Sequence, residues 1–383
     1  MSDEAATETI DFLVVDNQAE RRATITASLD ALRPGRSLSV ASGQAARDAL
    51  LAQQVGFVIS ATTLPRMTGI ELLRFIRRAP LSFDLPVLML LEQEEEEKIL
   101  FAKEEGADHV LCGEINTETL RGAIATIRNQ RQRRTPTQKA LLIARRLFLQ
   151  REYQQAIDKT MQIEGVATNR EAMQLLCECY YRQKNLEKAQ QYLKKIISPP
   201  NSKTLHLLSK VCLAENQCGD AIAHLTKANL LYPSSLDLKI DLGKLYLSLG
   251  MTEQAKGQFD TVLADSPSDL NLIKMGKACL ARGMVAEAAL FLNKAEQPIP
   301  ETAYIFAELA MALESAADLT EAAAQYEKCL RLMPNNPTFL LNLSKLYLKT
   351  DRRDQAQNII NKLHQRFPDN EKINQILAYL QAH

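Results

Sequence analysis

One small residue recurs at nearly constant spacing through the C-terminal part of the chain. Intervals of 33, 32, 34, 33, 34 and 34 residues separate seven alanines, Ala156, Ala189, Ala221, Ala255, Ala288, Ala322 and Ala356. A fixed interval of this length with helical patterning predicts hairpins of two helices, each of which buries its apolar face against the next hairpin. The pattern therefore predicts an elongated stack of about seven repeats, not a single globular core.

These repeats resemble tetratricopeptide (TPR) repeats. The clearest copy carries that family's residues at the family's spacing, namely Leu242, Gly243, Tyr246, Ala255, Phe259 and Pro267. Later copies repeat the terminal proline, whereas the first copy has Thr168 there. The resemblance implies an all-α solenoid over residues 138–368, and we predict that residues 369–383 form a capping helix, because an open solenoid end needs a polar cover.

The first 131 residues follow a different pattern. Short β-rich runs alternate with amphipathic stretches, and the runs are DFLVVD, SLSVA, GFVIS, LPVLMLL and DHVLC. Five such alternations predict an α/β fold with a doubly wound, five-stranded parallel sheet. Ligands of such sheets bind beyond the carboxyl ends of the strands, which we place at Asp16, Ala61, Leu91 and Cys112.

This half resembles the receiver domain of bacterial response regulators, the CheY-like fold. The resemblance is carried by FLVVDNQAERR, FVISATTLPRMTGIELLRFIR, LPVLML and EEGADHVL, and most specifically by the LPRMTG segment from Leu64 to Gly69. We predict an N-terminal tail over residues 1–9, the receiver-like domain over 10–131 and a linker over 132–137 before the repeats.

The resemblance implies a magnesium-dependent phosphoryl site, but this sequence lacks most of its groups. The acidic pair falls on Asp16 and Asn17, the phosphoacceptor on Ala61, the hydroxyl position on Leu91 and the lysine on Gly113. A methyl group can neither attack a phosphoryl donor nor ligate a metal, and one carboxylate is a poor magnesium site. We expect a pseudo-receiver that has no catalytic residue, binds no metal or cofactor, and is retained for its surface.

Composition excludes several other classes of protein. The 46 basic and 46 acidic side chains cancel, so no overall field favours nucleic acid or an anionic membrane as a partner. Neither a long apolar span nor a signal-peptide pattern is present, and we expect a cytoplasmic protein. The seven cysteines and five histidines are too dispersed for a disulfide framework or a zinc site. Most cysteines fall on packed positions of the repeats, where burial is the expected role: Cys177, Cys212, Cys279 and Cys329.

Two charged runs allow two interpretations each. The acidic run EQEEEE, Glu92–Glu97, lies at the predicted start of the fourth helix, where it is either a binding patch or a solvated helix N-terminus. The basic run RNQRQRR, residues 128–134, ends the fifth helix and is either a nucleic-acid contact or a solvated hinge. The helix position accounts for each run without a ligand.

The TPR resemblance also implies a concave groove lined by the first helix of each repeat. The groove-facing position is basic in five of the seven repeats, at Arg145, Lys210, Lys244, Lys277 and Lys345. Four residues earlier on the same helical face stand further candidate contacts, His206, Ile240, Ile273 and Leu341. This basic row beside an apolar floor predicts a groove for an acidic or amphipathic protein segment.

The expected function is that of a non-catalytic signalling adaptor. The receiver-like domain would dock on another component or self-associate as a homodimer through its last helices, while the repeats bind a protein segment. One alternative is an auxiliary phosphatase of a partner response regulator, with Gln174 or Asn342 positioning water. Another is an adaptor that delivers substrates to a protease.

Overall fold

The computed structural model describes residues 9–32, 35–65, 67–196, 201–265, 267–296 and 299–382. Apart from Thr9, the predicted N-terminal tail lies outside these ranges. Contacts divide the chain into two compact units, Met1–Leu242 and Gly243–His383, and each is described by itself. This division falls among the repeats. The predicted boundary at residues 132–137 marks a change of architecture and stays a prediction.

The N-terminal part is built on parallel strands. Its described strands are β1 (Thr9–Ile10), β2 (Phe12–Val15), β3 (Ser37–Val40), β4 (Gln54–Val55), β5 (Val58–Ala61), β6 (Val87–Leu91) and β7 (His109–Cys112). Five of them form one parallel sheet in the order β3-β2-β5-β6-β7, which confirms the predicted doubly wound fold. The sequence did not predict β1 and β4, which pair separately.

Five helices connect and cover this sheet. They are α1 (Ala19–Leu32), α2 (Gly43–Ala52), α3 (Gly69–Arg78), α4 (Glu96–Glu105) and α5 (Thr117–Gln132). Alternate residues of each strand face opposite sides, so the sheet has two apolar cores. Leu13 packs in a cluster with Leu72 and Ile76 of α3. Val14 packs on the other side in a cluster with Ile25 of α1 and Ile124 of α5.

Fifteen described helices follow from Pro136 onward and confirm the predicted TPR architecture. They are α6 (Pro136–Leu149), α7 (Tyr153–Met161), α8 (Arg170–Arg182), α9 (Leu186–Lys195), α10 (Ser202–Ala214), α11 (Cys218–Leu231), α12 (Leu236–Ser248), α13 (Thr252–Ala264), α14 (Asp269–Leu280), α15 (Val285–Lys294), α16 (Ala303–Ser315), α17 (Leu319–Leu332), α18 (Pro337–Lys349), α19 (Arg353–Arg366) and α20 (Glu371–Ala382). In chain order they make seven pairs, and α20 follows as the predicted terminal helix.

The structure explains the recurring alanine. All seven alanines are 0% exposed, as expected of a small residue where the two helices of a repeat pack closely. The same closeness is seen at Gly243, where an added Cβ would lie 2.5 Å from the Phe259 ring, and at Gly276, where it would lie 2.5 Å from Leu292 Cγ. Residues larger than alanine would push the paired helices apart.

A second periodic feature escapes sequence inspection. Five residues before each alanine, the turn inside each pair holds a residue with positive φ, namely Arg151, Lys184, Asn216, Gly250, Gly283, Ala317 and Asp351. Only two of these are glycine, although this backbone region favours glycine. The turn is therefore fixed by the packing of its two helices and not by its own residue type.

Candidate functional site

The carboxyl edge of the sheet brings together the residues that the sequence placed at strand ends. Asp16 follows β2 and is 0% exposed, Ala61 ends β5 at 1%, and Leu91 ends β6 at 4%. Asn17 and Gly113 lie exposed in the adjoining loops. These residues therefore lie along one edge of the sheet, and a buried methyl group occupies the position that the resemblance assigns to a phosphoacceptor.

The one buried carboxylate at this edge has local partners. Asp16 accepts a hydrogen bond from Arg21 Nε, and its Oδ1 accepts another from the Gln18 backbone N–H at 2.8 Å. Arg21 Nη1 also lies 3.3 Å from Glu92 Oε1, which accepts from Gln18 Nε2 at 3.1 Å. A guanidinium thus bridges carboxylates that follow β2 and β6, and we call these four residues the edge network.

The edge residues do not fit a magnesium site. Magnesium needs several oxygen ligands in octahedral geometry. Both oxygens of Asp16 are engaged by nitrogen donors, and Ala61 and Leu91 offer no side-chain oxygen at all. Within the described ranges, no group of three or more metal-ligating side chains occurs anywhere. The arrangement supports no phosphoryl-transfer chemistry.

The LPRMTG segment is explained by backbone packing. A Cβ placed on Gly69 would lie 2.0 Å from the carbonyl oxygen of Ala61, and the Gly69 N–H donates to the Thr62 carbonyl at 2.9 Å. Thr68 and Glu71 form a capping box, with the Glu71 N–H donating to Thr68 Oγ1 at 3.2 Å. These contacts depend on Thr68 and Gly69 and do not require an aspartate at position 61. The LPRMTG motif can therefore be kept for structural reasons alone.

A second polar surface lies on α4, where two glutamates bind hydroxyl groups of the repeats. Glu104 accepts hydrogen bonds from Ser202 Oγ at 2.7 Å, the Ser202 N–H at 3.2 Å and Tyr232 Oη at 2.6 Å. Glu97 accepts from Ser234 Oγ at 2.6 Å and the Ser234 N–H at 3.1 Å. We call the α3–α4 surface that touches the third repeat and the start of α12 the docking face.

An arginine links the docking face to α12. Arg74 donates two hydrogen bonds to the carboxylate of Glu105, at 2.7 and 3.1 Å, and pairs with Asp237 through its other terminal nitrogen. Burial alone would lower the pKa of Arg74, but Asp237 and Glu105 outweigh it and raise that pKa. Burial would likewise raise the pKa of Glu105, yet Arg74 holds it below its ordinary value.

An aromatic side chain forms the apolar centre of the docking face. Phe101 is 8% exposed and clusters with Leu205, Ala228, Tyr232 and Leu238. Its ring centroid lies 5.1 Å from that of Tyr232. An apolar core rimmed by satisfied polar groups is the anatomy of a specific protein interface.

Sequence reasoning missed this face, because α4 begins with glutamates that look solvated. Within the acidic run, Glu92 stays exposed while it joins the edge network, whereas Glu97 is half-buried and binds Ser234, so a solvated helix N-terminus does not account for Glu97. The available signal was Phe101, an aromatic residue on a helix whose other face already carries Ala102 into the sheet core.

The basic run after α5 is also used internally. Arg131 pairs with Asp84 and Asp108, both at 2.7 Å, and Arg134 pairs with Asp84 at 2.7 Å. Arg77 reaches Asp108 at 2.8 Å. These ion pairs favour a structural role for Arg131 and Arg134 over a contact with nucleic acid.

Beside the docking face lies a polar cleft of about 930 Å³. One wall comes from the ends of α3, α4 and α5, and the other from α6, α8 and the start of α10. Arg145, predicted to line a groove, lies in this cleft and pairs with Glu178 at 2.6 Å.

The remaining groove candidates of the first unit divide into exposed and buried residues. Lys210 is exposed, and His206 Nε2 lies 3.5 Å from Asp241 Oδ2. Ile240 is 0% exposed. Its side chain is part of the interior, so the prediction that it forms a surface floor is wrong.

The second unit shows the same division. Lys244, Lys277 and Lys345 are exposed at equivalent positions of α12, α14 and α18, whereas Leu341 is half-buried. Ile273 is only 4% exposed. The apolar floor is therefore wrong for Ile273 as well, because its side chain is buried inside the solenoid.

The amides proposed to position water are engaged elsewhere. Gln174 Nε2 donates to Thr204 Oγ1 at 2.6 Å and to Asn201 Oδ1 at 3.0 Å. Asn342 Nδ2 donates to Tyr326 Oη at 3.2 Å. These contacts do not favour the phosphatase alternative.

The four cysteines that were predicted to pack in the repeats, Cys177, Cys212, Cys279 and Cys329, are buried. Burial raises the pKa of the thiols, to about 12 for Cys279 and Cys329, so they are not nucleophiles near neutral pH. Among the described residues, no helix is long and apolar enough to cross a membrane.

Comparison with protein families matches two separate parts of the chain. Residues 12–125 match the family model described as response regulator receiver domain. Residues 213–278 and 313–380 match that described as tetratricopeptide repeat, and residues 158–228 match that described as anaphase-promoting complex, cyclosome, subunit 3.

Solved structures show likeness to each part. The chemotaxis response regulator CheY4 of Vibrio cholerae is 25% identical over 31% of this chain and 99% of its own, with a TM-score of 0.30. The C-terminal part of a TPR repeat-containing protein from Cytophaga hutchinsonii is 16% identical over 61% and 98%, with a TM-score of 0.45. PilF of Pseudomonas aeruginosa is 20% identical over 55% and 97%, with a TM-score of 0.36.

Proposed function

We propose that this chain, in which a response regulator receiver domain is followed by tetratricopeptide repeats, is a non-catalytic signalling adaptor. The receiver part supplies a fixed surface, and the repeats bind a segment of a partner protein. The observation that carries the proposal is Ala61, a buried methyl group at the phosphoacceptor position.

The edge network supports a fixed state. In a phosphorylatable domain, an incoming phosphoryl group has to find an oxygen nucleophile and a metal. Here the nucleophile is missing and the carboxylate of Asp16 is held by Arg21. The domain therefore keeps one state without a phosphorylation cycle.

Incubation with acetyl phosphate and magnesium tests the absence of phosphorylation. Intact-mass spectrometry should find no added phosphoryl group on this protein, while a receiver domain that retains its aspartate, treated in parallel, gains one. An added phosphoryl group on this protein that hydroxylamine removes, as it does from an acyl phosphate, would contradict the proposal.

The second unit supplies the partner surface. Lys244, Lys277 and Lys345 are exposed at equivalent positions of successive first helices of the repeats. Exposed ion pairs contribute about 0 to 1 kcal/mol each, so these lysines would steer an acidic segment and set its orientation more than its affinity. Because Ile273 is buried, the apolar contacts must come from other exposed residues, of which Met311 is 50% exposed.

A matched pair of variants tests this surface. Acidic amphipathic peptides, labelled with a fluorophore, should bind the native chain, and Lys244→Glu/Lys277→Glu should weaken that binding about tenfold. The control, Lys294→Glu/Lys362→Glu, makes the same charge change on second helices and should bind like the native chain. Equal weakening in both variants would show a net-charge effect and refute the groove.

The docking face restricts how the receiver part can self-associate. Because α4 already packs on the third repeat, a homodimer through the last helices would have to use α5. We propose α5 as the self-association surface. Sedimentation equilibrium should show a dimer that Arg121→Glu/Arg128→Glu on α5 weakens, and a monomer at high concentration would rule it out.

A further inference from the structure

We propose that the polar cleft between the receiver part and the first three repeats is a binding site for a compact phosphate-bearing ligand. Lys103 of α4 on the receiver side and Lys203 of α10 on the repeat side both line the cleft and would bind it. The site is independent of the peptide surface proposed above.

The size of the cleft suits such a ligand. Its volume of about 930 Å³ lies at the upper end of the usual range for small-molecule sites, roughly 300 to 1,000 Å³. Its lining residues lie on helices and in the loops between elements, and none of them belongs to a strand of the sheet. A peptide therefore cannot bind here by adding a strand, whereas a compact ligand needs only convergent side chains.

The charges that line the cleft do not balance. Eight lining residues are basic and six are acidic. Most of the acids are committed: Asp84 and Asp108 to Arg77, Arg131 and Arg134, Glu178 to Arg145, and Glu105 to Arg74. Glu104 is held by hydroxyl and amide donors of the docking face. The charge that remains is positive.

Two lysines carry much of that remaining charge. Among the described residues, neither Lys103 nor Lys203 has a hydrogen-bond or ion-pair partner, and both are exposed to the cleft. Phosphate oxygens accept charge-assisted hydrogen bonds that are shorter and stronger than neutral ones. An anion between the two walls would therefore neutralise charges that the protein itself leaves unpaired.

The surroundings of Lys203 support this assignment. Although Lys203 is exposed to the cleft, the surrounding protein reduces the solvation of its ammonium group and lowers its pKa. The nearby charges of Arg145 and Arg74 lower this pKa further, while Glu105 and Glu178 oppose them. A bound anion would relieve this unfavourable environment. Ligand binding should accordingly raise the pKa of Lys203.

Because of where the cleft lies, a ligand bound in it would affect the packing of the receiver part on the repeats. One wall belongs to the receiver part and the other to the repeats, so a ligand that touches both stabilises their docked arrangement. By mass action, a ligand that binds only the docked state increases its apparent stability.

Calorimetric titration of the full-length chain with two probes, sodium tripolyphosphate and magnesium-free ATP, tests the site. We expect binding of at least one probe, weakened about tenfold by Lys103→Met/Lys203→Met, because hydrogen bonds to charged groups contribute more than neutral ones. Lys203→Arg keeps the charge and should keep the binding. Lys227→Met removes an exposed lysine of α11 outside the cleft and should change nothing.

The two probes distinguish a nucleotide-like ligand from a ligand that is recognised by its phosphate chain alone. Preference for ATP would assign a nucleotide-like ligand, and equal binding would assign the phosphate chain alone. The proposal is overturned if neither probe binds the native chain, if the folded double variant binds as well as the native chain, or if Lys227→Met weakens binding equally. Circular dichroism establishes that each variant is folded.

Discussion

The edge network and the docking face use carboxylates in opposite ways. At the edge, Asp16 is buried and satisfied by a guanidinium five residues away in the chain. At the docking face, Glu97 and Glu104 are satisfied by hydroxyls about 100 residues or more away. The first arrangement satisfies a buried carboxylate within its own segment, while the second joins the sheet part to the repeats. A buried carboxylate is thus compatible with this sheet edge because it has a cationic partner nearby in the chain.

The largest effect on stability is expected from a substitution that disrupts the docking face alone. Phe101→Ala removes the aromatic centre of its apolar cluster and should destabilise the first unit by about 3 kcal/mol. Urea titration followed by circular dichroism measures this, and hydrogen exchange should show faster exchange in α10 and α11. Leu100→Ala, at a neighbouring site that is 49% exposed, should change stability by less than about 0.5 kcal/mol. Equal effects of the two changes would contradict the docking face.

The corresponding change at the edge is Arg21→Met. It leaves the buried carboxylate of Asp16 without its cation, and we expect a loss of about 2 to 3 kcal/mol, since Arg21 retains some exposure. Adding Asp16→Asn should recover part of that loss, because a neutral amide is cheaper to bury. If Asp16→Asn brings no recovery in the Arg21→Met background, the pairing is not what stabilises the edge.

A backbone change tests whether the edge depends on packing. Gly69→Ala places a methyl group against the Ala61 carbonyl and should cost about 2 kcal/mol, through the shift it forces on α3. Gly122→Ala, in α5, meets no atom within 4 Å and should stabilise the helix by about 0.5 to 1 kcal/mol. Opposite signs in the two thermal unfolding curves are the predicted result, and a neutral Gly69→Ala would refute the packing argument.

The smallest effect concerns pH and the docking face. Because Arg74 holds the pKa of Glu105 below its ordinary value, this glutamate adds stability above the unfolded-state pKa, and that stability disappears as pH falls through the folded-state pKa. Glu105→Gln should cost about 1 kcal/mol at pH 7 and progressively less below about pH 4.5. Urea midpoints of both proteins across pH 3 to 7 measure this. A difference that does not shrink in acid would contradict the pairing.

Several features could be predicted from sequence because they are local or periodic. The strands, the repeats and the buried alanines follow from hydrophobic spacing, and Ala61 at the end of β5 follows from motif alignment. The prediction that Ile240 and Ile273 form the groove floor was wrong, because the position of a residue around its helix does not distinguish the groove from the interior of a stacked solenoid. The positive-φ turns were not predicted because six different residue types occupy them.

By itself, the sequence determined that this protein joins a receiver-type sheet, with Ala61 at the end of β5, to a helical repeat array. Only the tertiary structure decided that Glu97, Glu104 and Phe101 form a docking face, and that Lys103 and Lys203 line one cleft. The physical reason is the distance along the chain over which each interaction acts. Propensity and periodicity act over a few residues and fix each element, whereas ion pairs and burial between distant segments depend on how the finished elements pack.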